Sequence, residues 1–118
     1  MDIESFRELC ISRPGVTEEF PFDNNTLVFK VMGKMFALAD VDHFVSINLK
    51  CDPEEAIRLR EHYAGIRPGY HMNKKHWNTI EMDGSVPDAV VRELISESYR
   101  LVVNGLTRKM REELEGMK

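Results

Sequence analysis

The chain has 118 residues, 42% of them hydrophobic and 31% charged, with no apolar run near the roughly 18 residues of a membrane span, which excludes the disordered and membrane-spanning classes. Its formal charge of −4 excludes a protein that coats nucleic acid by bulk electrostatics, so any contact with phosphates has to be local. One domain over residues 1–118, with a single core and a polar C-terminal helix over residues 105–118, is the expectation at this length.

The opening MDIESFRELC carries acids and helical periodicity where a secretory signal needs a basic start and an apolar stretch, so a cytoplasmic location is expected. Ile3, Phe6, Leu9 and Cys10 recur at helical spacing until Pro14-Gly15. Residues 16–25 read as a loop with turn chemistry at Pro21 and Asp23-Asn24-Asn25, anchored by Phe20 and Phe22 turned inward.

Residues 26–32 and 35–40 flank Gly33-Lys34, and glycine at the first of two turn positions predicts a tight hairpin. A two-residue loop there pairs Val31 with Phe36 and Phe29 with Leu38 on one apolar face beside Leu27, leaving Val28, Lys30, Met32, Met35, Ala37 and Ala39 on the other. A third strand over 44–50 alternates Val45, Ile47 and Leu49 against Ser46, Asn48 and Lys50.

Asp52-Pro53-Glu54-Glu55 starts a helix running to about Tyr63, with a capping carboxylate, a proline where no N–H is needed and acids at the positive end of the dipole. Strands over 66–70 and 76–82 predict a second hairpin with a bend at Asn73-Lys74-Lys75. Pro87 opens the longest helix, striped by Val90, Val91, Leu94, Ile95, Leu101 and Val102 and ended by Asn104-Gly105. The fold class is therefore α+β, a two-layer sandwich of about five antiparallel strands against helices, in the order α-β-β-β-α-β-β-α-α.

Charge is uneven along this order. Residues 1–25 hold six acids and two bases, whereas Ala64 to Ile80, AGIRPGYHMNKKHWNTI, hold Arg67, Lys74, Lys75 and no acid, with Tyr70, His71, Asn73, His76 and the single tryptophan, Trp77. Cations, rings and amides together suit backbone-phosphate contact and base stacking. Two placements of Trp77 are open. If Ile80 and Met82 face the core, period two sets Trp77 and Thr79 on the opposite face with Lys30, Asn48 and Lys50; if Trp77 is buried, it is a core residue and the stacking argument weakens.

No nucleophile elbow, phosphate loop or dinucleotide fingerprint occurs, and no catalytic residue is assigned. His71 and His76 lack a third ligand and a positioned acid, so neither metal nor cofactor is expected. An enzyme would have to use His71 or His76 as its acid or base. Glu18-Glu19 reads as helix-end or solvated charge, and Cys10 and Cys51, with no CxxC spacing, as buried reduced thiols.

The segments PGVTEEFPF, LVFKVMGKMFAL, NLKCDPEEA and PGYHMNKKHWNT together resemble the MmcQ/YjbR family of small bacterial proteins over roughly residues 3 to 106, the last segment being the most specific. The resemblance implies a fold similar to CyaY and to type III secretion chaperones. It also implies a non-enzymatic DNA-binding role through a double wing of two hairpin-like elements. On this chain the wings would be the Gly33-Lys34 and Met72–Lys75 hairpins, with Lys34, Lys74 and Lys75 as tip contacts, Lys30, Lys50, Arg67, His71 and Trp77 beside them, and Tyr70 or Trp77 stacking. About five neutralised phosphates would follow. The alternative partner is a peptide or protein held on Met32, Met35 and Ala37, with the chain a monomer or homodimer and no membrane involved.

Overall fold

A computed structural model describes all of residues 1–118. Ten elements occur in the order α1 (Ile3–Ile11), β1 (Val16–Glu19), β2 (Thr26–Val31), β3 (Lys34–Asp40), β4 (Ser46–Lys50), α2 (Pro53–His62), β5 (Ile66–Pro68), β6 (Trp77–Glu81), α3 (Asp88–Asn104) and α4 (Arg108–Glu115). The six strands form one antiparallel sheet in the order β1-β2-β3-β4-β6-β5. The α+β class stands, with six strands where five were expected.

The helix starts have the chemistry read from the sequence. Asp2 accepts the Ser5 N–H at 2.8 Å and Asp52 accepts the Glu55 N–H at 3.4 Å, with Pro53 in the first turn of α2. The stripe of α3 lies across β2, β3 and β4, and its Val91, Ile95 and Val102 join Phe6, Phe29, Phe36, Ile47, Leu49 and Ile80 in the main core between helices and sheet.

The extra strand is β1, inside the segment read as a loop. Val16 and Glu18 turn toward the helix side and Thr17 and Glu19 away from it, so a four-residue edge strand forms where turn residues dominate just downstream. Phe20 and Phe22 are not inward anchors: both are exposed, Phe22 at 64%. Glu18 and Glu19 separate in the same way, Glu18 pairing with Arg7 of α1 and Glu19 with Lys30 across the sheet.

The hairpin of β2 and β3 has a different register from the one predicted. Met32 and Gly33, with φ of 50° and 82°, are its two loop residues, and Lys34 pairs with Val31. Two successive positive φ values give the primed turn that matches strand twist. The pairing then shifts between Phe29 and Lys30, so that Phe36 is left over as a bulge. The slip moves Leu38 to the face away from the helices and Ala37 and Ala39 toward them, while Phe36 stays buried against Tyr99 of α3. Ser98 of α3 secures the bulge, donating its hydroxyl to the Phe36 carbonyl at 2.6 Å and accepting the Lys50 N–H at 2.9 Å.

The later strands are shorter than expected: β4 begins at Ser46 because Phe44 has a φ of 48°, and Val45 is 59% exposed rather than core-facing. The strands β5 and β6 end at Pro68 and begin at Trp77, leaving residues 69–76 outside the ladder.

Candidate nucleic-acid interface

The sheet face away from the helices is organised in rows set by the register. One row runs Glu19, Val28, Leu38, Asn48, Thr79, Arg67 across all six strands. Toward the β2–β3 turn lies a second row containing Lys30 opposite Met35 and Lys50 opposite Trp77. Toward the other end lies a third, with Thr26 opposite Asp40 and Ser46 opposite Glu81. The face is thus basic at one end and acidic at the other.

At the basic end, Lys34 begins β3, Lys50 ends β4, and Lys74, Lys75 and His76 lead directly into β6. Both tips anticipated from the sequence therefore lie at the same end of the sheet, on either side of Lys50. Lys34 and Lys75 are exposed. Lys74 is turned back, donating its Nζ to the Gly69 carbonyl at 3.0 Å. Two further cations carry partners of opposite charge, Lys30 with Glu19 and Arg67 with Glu81, which lowers the field each offers to a phosphate.

Trp77 has the predicted face and an unpredicted environment. It projects away from the helices, yet it is only 8% exposed, packed with Val28, Leu38, Met35 and Met72 in a second small core. Residues 69–76 fold back over it. Gly69 permits that approach, since a Cβ there would sit 2.8 Å from the Trp77 Cβ and 3.1 Å from its carbonyl oxygen. Asn73 shapes the bend by accepting the Lys75 and His76 N–H groups on its Oδ1 at 2.9 and 3.2 Å. Base stacking by Trp77 is thereby ruled out in this conformation; Tyr70, 63% exposed with its ring 4.0 Å from that of His71, is the accessible ring.

Arg60 of α2, which no motif singled out, ties this segment down. Its Nε donates to the buried Asn78 Oδ1 at 2.6 Å, and its Nη2 donates to the Lys74 carbonyl and to the Trp77 carbonyl at 3.3 Å. A cation on an alternating-charge helix looks like ordinary surface chemistry, so sequence pattern carries no signal for this role.

His71 and His76 do not form a site together. His71, with a φ of 57°, lines a cavity of about 480 Å³ at the acidic end together with Phe22, Asp23, Thr26, Asp40, Ser46, Asn48, Tyr70 and Met72, whereas His76 sits in the Asn73 bend at the other end. No three His, Cys, Asp or Glu side chains converge as a metal cage. The Asp23 carboxyl is held below the usual carboxylate range by the Thr26 and Asn25 N–H groups. Met32, Met35 and Ala37 do not share the face that a peptide would need. Met32 packs on the main core, Met35 beside Trp77, and Ala37 is fully buried toward the helices. Cys10 and Cys51 are free and buried, and burial pushes their thiols up to about 12 and about 11.

Comparison with known proteins agrees with this architecture. The family model described as YjbR matches residues 11–101. The chain is 39% identical over 107 residues to the protein YbdF of Escherichia coli O157:H7, covering 90% of this chain and 88% of that one. It is 34% identical over 112 residues to YjbR of Escherichia coli strain K12, covering 94% and 95%. The crystal structure of a Deinococcus radiodurans protein with the DUF419 domain superposes with a TM-score of 0.89 at 43% identity, covering 97% of this chain and 88% of that one. A Pseudomonas syringae protein does so at 0.71 and 27% identity, covering 86% and 98%. Matched along most of its length by family model, relatives and solved structures alike, this chain belongs to the YjbR family.

Proposed function

We propose that this protein is a non-enzymatic DNA-binding protein that contacts the phosphate backbone through the basic end of its sheet. The observation that carries the reading is the convergence there of Lys34 and the Lys74-Lys75 bend around Lys50. Two loops with a cation between them match a surface that follows a charged backbone, and the residual charge of −4 confines the contact to that end. Trp77 has no part in the contact; it holds the Lys74-Lys75 bend in place from below.

With Lys30 and Arg67 engaged by acids, about four phosphates are neutralised, which gives a log-log salt slope of about −3.6 on duplex DNA. Anisotropy of a labelled duplex, titrated at several salt concentrations, measures it. Lys34→Ala with Lys75→Ala should flatten the slope by about 1.8 and weaken all sequences alike. Salt-independent affinity, or a double variant that binds as the parent does, overturns the reading.

A further inference from the structure

We infer that the aromatic-walled cavity at the acidic end of the open sheet face is a binding site for a small organic ammonium ion. This goes beyond the DNA reading and uses the opposite end of the face.

The cavity, about 480 Å³, lies within the roughly 300–1,000 Å³ range of small-ligand sites. Its floor is the third row of the sheet, and its wall is the segment that folds over Trp77. Phe22 and Tyr70 border it from two distant parts of the chain, and they are the two most exposed aromatic side chains, at 64% and 63%. Rings held at the rim of a cavity rather than in a core can present a negative face to a cation, Phe22 from one side and Tyr70 by the face not turned to His71 from the other.

The polar groups select the charge of the ligand. Asp23 and Asp40 line the cavity with His71, and no lysine or arginine does, so the permanent charges there are both negative. Asp23 is engaged in its own turn, accepting from Asn25 and Thr26 on both carboxylate oxygens. Asp40 accepts only the Asp42 N–H, at 3.0 Å on Oδ1, which leaves Oδ2 without a protein partner. Asn48 has its Oδ1 taken by the Thr79 hydroxyl at 2.6 Å, so its amide N–H groups are available to a hydroxyl or carbonyl on the ligand. An anion would meet the open Oδ2 of the Asp40 carboxylate, and a wholly apolar ligand would desolvate it without a partner. An ammonium head with a short polar tail satisfies both groups.

The probes are choline, its uncharged carbon isostere dimethylbutanol, and the anion pivalate, each titrated into the intact protein while backbone amide NMR signals are followed. Choline should move the Thr26, Asp40, Ser46, Tyr70 and His71 signals saturably, and at least about tenfold more tightly than dimethylbutanol, with pivalate inert. Asp40→Asn should weaken choline by about tenfold, as should Tyr70→Ala, whose exposed side chain can be removed even if the Asp40 change disturbs the turn. Equal affinity for the isostere, shifts scattered over the surface, or full choline affinity in Tyr70→Ala overturns the proposal. Lys34→Ala with Lys75→Ala should leave choline binding unchanged, so the two readings fail separately.

Discussion

Asn78 Oδ1 accepts the Arg60 Nε–H at 2.6 Å, a bond between the inner face of β6 and the side of α2, and Asn78 itself is 2% exposed. Because the guanidinium also reaches two carbonyls of the 74–77 segment, one side chain fixes both a buried amide and the bend that carries Lys74 and Lys75. Arg60→Ala should therefore cost about 1–3 kcal/mol, the cost of leaving the buried Asn78 amide oxygen unpaired, and should shift Trp77 emission to the red as its cover loosens. Urea denaturation and an emission spectrum check both, and Arg60→Lys should recover only part, since an ammonium cannot span the three acceptors.

Ser98→Ala should destabilise by about 1–3 kcal/mol, because the buried Phe36 carbonyl and the half-buried Lys50 N–H would both lose this partner. The same denaturation experiment measures it. Hydrogen exchange of the Lys50 amide should accelerate more than that of amides in β1, which tests whether the loss is local to the bulge.

Glu18 should contribute to the pH dependence of stability. Hydrogen bonding from Arg7 holds its carboxyl below the usual glutamate range in the folded state. The contribution is then complete above the unfolded carboxylate value and is lost as pH falls through the lowered folded one. Glu18→Gln should be less stable than the parent at neutral pH, and the gap should close in acid; a gap that is constant with pH would show that the pair contributes no such linkage.

The two thiols should be silent toward an alkylating or disulfide reagent at neutral pH and react only through opening of the fold, since burial removes access and raises both above the ordinary thiol range. Cys51, at 5% exposed against 0% for Cys10, should label first. Labelling rates along a urea series check the order.

Helix boundaries were legible in the sequence because their chemistry is local: Asp52-Pro53 and Asn104-Gly105 act on their own neighbours. The β2–β3 hairpin was legible as an element and not in register, because Met32 takes a positive φ that its type gives no reason to expect, and the bulge at Phe36 is secured by Ser98, far along the chain. A one-residue slip then sent Leu38 to the other face.

The basic residues of the candidate site are legible in the sequence by type, and which of them carry acidic partners is not. Glu19 and Glu81 occupy Lys30 and Arg67 across strands, and periodicity carries no information about such partners. Trp77 follows the same logic. Its face came from counting by two, whereas its burial depends on residues 69–76 folding back, a tertiary event signalled only by the need for Gly69.

The rows of the open face have an electrical consequence. Lys50 and Ser46 are the ends of β4, so the basic and acidic rows are separated by four residues, about 13 Å of extended strand. That exceeds the ~8 Å Debye length of physiological salt, and at that ionic strength the two ends are screened from one another. In dilute buffer the screening vanishes, and a polyanion would feel both at once, turning the molecule so that Asp40 trails and Lys50 leads. The same face is two independent surfaces at physiological salt and a single oriented dipole at low salt.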